Sequence, residues 1–186
     1  MKFIRKYWSN LAIVLIIVIL TIPQARREIQ VFLNQLLAST PTKVLEEDQK
    51  QLSNYHLQLE DIYGRRKNLN ESKNRVVFIN YWATWCPPCI AEMPDLEELF
   101  QKYHEQIDFY FITNDEPDKI LKFMQENTYS FPVYFSQTKL PSVLYSNALP
   151  TSYVIAKDGK IVFDKAGAAN WTSDRFTKDL EQLIAE

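Results

Sequence analysis

The fold is decided by the stretch Val76-Val77-Phe78-Ile79-Asn80-Tyr81-Trp82-Ala83-Thr84-Trp85-Cys86-Pro87-Pro88-Cys89. Its first half is apolar, β-branched and aromatic, which is typical of a buried strand. An amphipathic segment follows the two cysteines, so the pattern predicts a strand, Val76–Tyr81, that delivers two thiols to the start of a helix, Pro87–Tyr103. The chain has no other cysteine, and neither sulfur can therefore form a structural cross-link elsewhere.

The composition and charge exclude some classes of protein. Apolar residues make up 46% of the 186 residues, which is enough for one folded domain with an appendage. The first 27 positions hold five basic residues and no acid, whereas the remainder carries 16 basic and 23 acidic side chains. A domain with this acidic excess lacks the basic face that nucleic-acid binding requires, so no nucleic-acid partner is expected.

Residues 1–27 have the composition of a membrane-targeting segment. Three basic residues precede an apolar run of 12 residues from Leu11 to Ile22. Such a run rises only about 18 Å against a hydrocarbon core of ~30 Å, which leaves a cleaved signal peptide as an alternative. No good small-x-small cleavage site follows, and this favours an uncleaved anchor. The larger number of basic residues before the run favours a body on the outer side of the membrane.

Residues 28–54 are predicted to form an amphipathic helix followed by a polar linker. One helical face is apolar and consists of Ile29, Phe32, Leu33, Leu36 and Leu37. Three roles for this face stay open: it lies on the membrane, it extends the anchor, or it packs on the domain. The residues after it are polar, with Pro41 and an acidic run at 46–48, and are typical of a spacer.

Residues 55–186 are predicted to form one α/β domain. The expected strands are His56–Leu59, Val76–Tyr81, Ile107–Thr113, Phe131–Phe135, Thr151–Ala156 and Lys160–Asp164. Helices are expected at Pro87–Tyr103, from Pro117 to about Asn127, and after a cap at Thr172 or Ser173. The last two strands form a hairpin around an Asp-Gly turn. Helices that alternate with strands indicate a mixed sheet with helices on both faces.

The two thiols are expected to differ in role. Cys86 would cap the helix, where the positive end of the helix dipole favours the thiolate that attacks disulfides. Pro87 and Pro88 tune this effect in two directions, because they remove two amides from the anion site but stiffen the loop in a helix-ready conformation. Their net effect on the pKa of Cys86 stays open. Spacing predicts that Cys86 attacks and that Cys89, facing inward, resolves the mixed disulfide.

Two neighbouring residues are candidates for the same chemistry. Glu92 shares a helical face with Cys89 and is a candidate proton acceptor, with an exposed carboxylate near a helix N-terminus as an equal alternative. Trp85 would either shield the thiols and contact a partner chain or be a core aromatic residue. No metal is expected, because the only histidines, His56 and His104, lack metal-ligand spacing to the cysteines.

These motifs resemble the thioredoxin superfamily, and most closely the membrane-anchored TlpA/ResA-like thiol–disulfide oxidoreductases of bacteria. The resemblance rests on Phe78–Cys89, Glu92-Met93-Pro94, Leu149–Ile155 and Asp158–Ile161, and it covers residues 55–186. It implies a thioredoxin-like fold, in which a central mixed β-sheet flanked by helices follows an N-terminal membrane-anchor helix and spacer.

The resemblance also implies roles for single residues. Cys86 and Cys89 match the nucleophilic and resolving cysteines, and Glu92 matches the active-site glutamate of ResA-like members. Pro150 matches the cis-proline that faces the thiols, and Leu149 would pair its backbone with the substrate chain. Pro94 matches the proline that kinks the helix. One departure concerns position 80, where thioredoxins commonly bury an aspartate. Asn80 cannot accept a proton, which leaves Glu92 as the acid–base candidate.

The expected function is that of a membrane-tethered thiol–disulfide oxidoreductase that reduces disulfides of exported proteins, with apocytochrome c as one candidate substrate. The resemblance implies no cofactor beyond the redox-active Cys86–Cys89 pair. It implies protein dithiols or disulfides and a membrane electron-donor thiol carrier as partners. The expected location is the bacterial cell membrane, spanned once, with the catalytic domain on the extracytoplasmic side. The direction of electron flow depends on the reduction potential, which the motifs leave open.

Two other functions compete on the same fold. A metal-binding or metallochaperone module would use the same two thiolates and would need a histidine near them. A peroxidase would need a lone reactive cysteine preceded by a Pro/Thr arrangement that Thr84-Trp85-Cys86 does not reproduce.

Overall fold

The computed structural model describes residues 21–186 together with Trp8 and Ile13. Within these residues the α-helices are α1 (Pro23–Leu37), α2 (Pro87–Tyr103), α3 (Pro117–Asn127) and α4 (Asp174–Ala185). The strands are β1 (Gln58–Asp61), β2 (Arg66–Asn68), β3 (Val76–Tyr81), β4 (Ile107–Ile112), β5 (Val133–Ser136), β6 (Thr151–Ile155) and β7 (Ile161–Ala166). Short 3-10 turns cover Glu46–Asp48, Leu69–Ser72 and Ser142–Leu144.

The predicted membrane anchor, residues 1–27, lies for the most part outside the described residues. In the part of the chain that is described, no helix combines the length and the apolar composition needed to cross a membrane.

The strands form one mixed sheet in the order β2-β1-β5-β4-β3-β6-β7, and a mixed sheet is what the sequence predicts. Strands β3, β4 and β5 run parallel, and the remaining pairs are antiparallel. Tyr81 at the end of β3 pairs with Ile112 of β4 on one side and with Thr151 of β6 on the other. The segments that follow β3 and β4 therefore meet, at one edge of the sheet, the segment that precedes β6.

Strand β3 is buried on both faces of the sheet. Val76 and Phe78 pack into one apolar layer, and Val77 and Ile79 pack into the other. The first layer contains buried residues from each of the helices α2, α3 and α4, among them Leu96, Leu99, Ile120, Phe123, Phe176 and Leu180. The second layer is closed by residues that precede β3, among them Leu52, Leu57 and Leu69.

The expectation of helices on both faces is therefore corrected. Strands β3, β4 and β5 lie side by side in the sheet in the same order as in the chain. The two crossover connections between them therefore proceed in the same direction along the sheet. Right-handed crossovers in one direction place both connecting helices on the same face.

The strand bounds differ from the predicted ones mainly at the two edges of the sheet. Strand β1 is Gln58–Asp61 rather than His56–Leu59, and β7 is Ile161–Ala166 rather than Lys160–Asp164. Strand β2 was not predicted, since Arg66-Lys67-Asn68 has no apolar alternation. Strand β5 begins at Val133 rather than at Phe131, because Pro132 has no amide to donate to a ladder. Helix α2 has the predicted bounds and keeps Pro94 inside it.

Residues 28–54 are helical as far as Leu37 and then run along the domain. Val44 donates its amide to the Val162 carbonyl at 2.8 Å, and Leu52 donates to the Gly159 carbonyl at 2.9 Å. Helix α1 packs against α2, yet Ile29, Phe32, Leu33, Leu36 and Leu37, which form its apolar face, remain exposed. The helix therefore contacts the domain through a face other than its apolar one.

Candidate active site

The two cysteines are joined as a disulfide at the N-terminus of α2, with 5.3 Å between their Cα atoms. Cys86 is the N-cap residue, and the Cys89 amide donates to Cys86 Sγ at 3.3 Å. This contact follows from the two prolines at the first helical positions, because neither has an N–H to offer. Cys86 is 4% exposed and Cys89 is 0% exposed, so a partner molecule can reach only Cys86.

Glu92 lies inside the domain, one turn after Cys89, and is only 1% exposed. Three donors surround its carboxyl group. Asn80 Nδ2 donates to Oε1 at 2.8 Å, while Trp171 Nε1 and the Ala169 amide donate to Oε2 at 2.9 Å and 3.1 Å. The alternative of an exposed carboxylate near the helix N-terminus is therefore wrong.

Burial raises the pKa of Glu92 from 4.5 to about 8. The hydrogen bonds from Trp171, Ala169 and Asn80 act in the opposite direction, because they favour the charged form. The effect of burial on the pKa is the larger one. Glu92 is therefore mostly protonated at neutral pH and loses its proton about one unit above pH 7. A group with this pKa suits proton exchange with a thiol, whose ordinary pKa is ~8.5.

Asn80 connects three elements at this point. Its Nδ2 donates to Glu92 on α2 and also to Ser152 Oγ on β6, at 2.8 Å. Its Oδ1 is buried and has no partner within the described residues. In the sequence, Asn80 stands out only as a missing acid, and nothing there points to Trp171 or Ala169. These two residues follow Glu92 by 79 and 77 positions, and no local pattern marks them.

The loop before Cys86, residues 83–85 (the redox loop), is held by Asp115. Thr84 donates its amide and its hydroxyl to Asp115 Oδ2 at 2.6 Å and 2.8 Å, and Trp85 Nε1 donates to Oδ1 at 3.0 Å. The sequence motifs do not single out Asp115, although its position in the chain could have indicated it. It follows β4, and the carboxyl ends of neighbouring parallel strands meet at one edge of a sheet.

Trp85 is 66% exposed, and the alternative that it is a core aromatic residue is therefore wrong. With its nitrogen bound to Asp115, the indole offers a flat apolar surface next to Cys86.

The bond between Leu149 and Pro150 is cis and lies at the same edge of the sheet, because the next residue, Thr151, pairs with Tyr81. Leu149 and Trp85 both line a cavity of about 770 Å³. Tyr81 and Trp82 also line this cavity, and their buried Oη and Nε1 atoms have no hydrogen-bond partner in the described part of the chain. The cavity is therefore largely apolar and adjoins both Trp85 and the residue before Pro150.

The described residues offer no metal site beside the thiols. Residues 21–186, with Trp8 and Ile13, contain no group of three or more His, Cys, Asp or Glu side chains arranged to hold a metal ion. His104 caps the far end of α2, roughly 22 Å along the helix from Cys89. His56 contacts Asn70 through its Nδ1, at 3.2 Å.

Comparison with known proteins places these features in a family. A family model described as the AhpC/TSA family matches residues 49–164. The thiol-disulfide oxidoreductase ResA of Bacillus cereus (strain ZK / E33L) is 38% identical over 105 residues, which are 55% of this chain and 61% of that protein. ResA of Geobacillus thermodenitrificans is 33% identical over 128 residues, covering 67% of this chain and 72% of the relative. The first of these matches thus spans about three fifths of the relative's length.

A solved structure shows the same fold. The secreted thiol-disulfide isomerase of Corynebacterium glutamicum superposes with a TM-score of 0.59 at 19% identity, covering 80% of this chain and 93% of that one. At this identity the likeness concerns the fold alone, and it confirms the thioredoxin-like α/β architecture. The resemblance to thioredoxin-fold thiol–disulfide oxidoreductases that the motifs indicate is confirmed by the family and its named relatives.

Proposed function

Since this chain belongs to the AhpC/TSA family and is a relative of the ResA thiol–disulfide oxidoreductases, we propose that it exchanges disulfides with protein substrates through Cys86 and Cys89. The observation that carries this proposal is the Cys86–Cys89 disulfide at the N-terminus of α2, followed one turn later by a buried carboxyl group with a pKa of about 8.

The reaction begins with the reduced protein. The Cys86 thiolate attacks one sulfur of a substrate disulfide, forms a mixed disulfide and releases the other substrate sulfur as a thiolate, which takes a proton from water. The Cys89 thiol then gives its proton to the ionised form of Glu92, whose fraction grows as the pH approaches 8, and the resulting Cys89 thiolate attacks Cys86 Sγ. The second substrate sulfur leaves, the substrate gains two electrons, and the Cys86–Cys89 disulfide forms.

Substrate contact is assigned to the cavity beside the disulfide. The main chain of Leu149 pairs with an extended substrate segment, as an added strand pairs with a sheet edge. Trp85 packs its exposed indole on the apolar side chains that flank the substrate cysteine. Pro150 faces the thiols and keeps this backbone edge open, because proline has no amide that would compete for the substrate carbonyl.

The tether and the partners belong to the same proposal. The basic residues before Leu11–Ile22 and the apolar character of that run support a single-pass anchor that leaves the domain outside the cytoplasm. A thiol carrier in the bacterial cell membrane would then return the disulfide to the dithiol. Exported proteins, with apocytochrome c among the candidates, would be the substrates.

Substitution of Cys86 by Ser tests the proposed activity. The variant lacks the attacking sulfur, and we expect its rate of insulin-disulfide reduction, with dithiothreitol as electron donor, to fall to the rate without protein. The matched control is Ser53→Ala, a change at an exposed position. Unchanged turnover in Cys86→Ser would exclude the proposed reaction.

A further inference from the structure

Helix α1 exposes an apolar face, the α1 stripe, which consists of Ile29, Phe32, Leu33, Leu36 and Leu37. The exposed fraction of these side chains lies between 38% for Ile29 and 79% for Leu37. Soluble domains seldom leave five large apolar side chains together in water, and such a patch marks a surface that something covers.

The helix that carries the stripe is part of the domain rather than a free arm. On a helical wheel, Arg27, Val31 and Asn34 lie opposite the stripe, and Val31 and Asn34 are half-buried where α1 packs on α2. Because the packed face is opposite the stripe, the stripe points away from the domain.

Both ends of α1 are bound to segments that form the active site. Near its start, Arg27 Nη2 donates to the Thr84 carbonyl in the redox loop at 2.8 Å, two residues before Cys86. Just after its end, Ser39 accepts the Asn170 amide through its carbonyl at 3.1 Å. Asn170 lies between Ala169 and Trp171, which both donate to Glu92. A surface that binds the stripe would therefore hold the redox loop and the Glu92 site at a set distance from itself.

Charge and chain order identify the occupant. The apolar run Leu11–Ile22 leads directly into α1, and the first 27 residues contain five basic side chains and no acid. Arg26 lies beside the stripe on the helical wheel, as a cation at the headgroup level would. A short helix with one apolar face and a basic N-terminal segment binds in the interface of an anionic membrane rather than across it.

We propose that α1 lies in the membrane interface on the α1 stripe and so holds the Cys86 entrance at the membrane surface. This inference rests on the membrane tether of the proposed function and adds an orientation to it. A tether alone would let the domain turn freely, whereas a helix fixed to both the bilayer and the redox loop presents the dithiol to carriers within the membrane.

The test measures how deeply two positions of α1 enter a bilayer. The full chain is reconstituted in vesicles of phosphatidylglycerol and phosphatidylcholine whose acyl chains carry bromine, which quenches tryptophan on contact. One variant is Phe32→Trp, in the centre of the stripe, and its matched control is Gln35→Trp, one turn away on an exposed polar side of the same helix. Quenching is taken as the difference from the unsubstituted chain.

We expect the Phe32→Trp signal to be quenched at least about threefold more than the Gln35→Trp signal, since only the stripe would reach the acyl chains. Equal quenching of the two, in a chain that floats with the vesicles, would overturn the orientation and leave the tether intact. A chain that does not float with the vesicles would overturn both the membrane tether and the orientation of α1. Equal quenching together with a dimer in light scattering would assign the stripe to a second copy of the chain and also overturn the proposal.

Discussion

At the scale of single residues, the site depends on two opposing effects on the pKa of Glu92. Burial disfavours its charge, and three hydrogen-bond donors favour it, which leaves the pKa at about 8. Two of the donors, the Trp171 indole and the Ala169 amide, approach the same oxygen. The third, Asn80, has a buried Oδ1 with no partner in the described residues, so its amide group can rotate when the group opposite changes.

Substitution of Glu92 by Gln tests the proton transfer. The carbonyl of the introduced glutamine keeps the Trp171 and Ala169 donors, and a rotated Asn80 offers Oδ1 to the new amide group, so we expect the variant to fold. Exchange should slow by roughly 10²-fold, and the rise of kcat/KM around pH 8 should disappear. The measurement is the pH profile of insulin-disulfide reduction. The same pH dependence in both proteins would remove Glu92 from the mechanism.

The same carboxyl group should affect stability. Folding raises the pKa of Glu92. Between pH 4.5 and about 8, the carboxyl group is therefore protonated in the native state and ionised in the unfolded chain. The stabilisation is therefore complete below pH 4.5 and is lost as the pH rises toward 8. Relative to Glu92→Gln, we expect the oxidised wild-type chain to lose on the order of a few kcal/mol of unfolding free energy over this range. Urea unfolding at about pH 5 and about pH 8 measures it, and parallel changes in both proteins would contradict the assignment.

At the scale of elements, the ends of β3 and β4 work as a pair. The first supplies the redox loop, and the second supplies Asp115, whose two carboxylate oxygens accept from the amide and hydroxyl of Thr84 and from the indole of Trp85. All three partners are donors, so the clamp needs a group that only accepts. Asp115 is thus a positioning residue for the surface next to Cys86.

Substitution of Asp115 by Asn should loosen this clamp. An amide group offers one acceptor and turns its N–H donors toward Thr84 or Trp85, at a cost of about 1–3 kcal/mol. We expect faster hydrogen exchange at the Thr84 and Trp85 amides and a several-fold higher KM for insulin, with kcat nearly unchanged. Asp118→Asn, the same change at an exposed position of α3, serves as control. If kcat fell while KM and hydrogen exchange stayed at their original values, the positioning role would be wrong.

The sequence patterns that predict individual helices and strands differ in strength. Helix α2 was predicted with its observed bounds, since two prolines mark its start and an apolar stripe continues to Tyr103. Strand β2 has three polar residues and forms only because β1 lies beside it, so pairing in three dimensions determines it. The side of the sheet that the helices occupy depends on strand order, and no single stretch of sequence encodes that order.

At the scale of the whole molecule, the site is assembled from distant parts of the chain. The sequence predicted the disulfide-bearing residues and Glu92, because all three lie within one helical turn or two of each other. It could not predict that Trp171 and the Ala169 amide would bind Glu92, or that Arg27 would reach the redox loop, since these contacts join segments 57 or more residues apart. Folding brings α1 to the redox loop and the Ala169–Trp171 segment to Glu92.

The central claim is that Cys86 attacks a substrate disulfide and that Cys89 resolves it, and trapping of the intermediate tests it most directly. The full-length Cys89→Ser variant, in its reduced form, is mixed with a protein disulfide substrate, quenched with acid and analysed by peptide mass spectrometry. We expect a covalent one-to-one complex linked through Cys86 and no such complex with Cys86→Ser, because only Cys86 is within reach of a partner. A complex that forms equally well through Cys89 in the Cys86→Ser variant, or no complex with either variant, would contradict the claim.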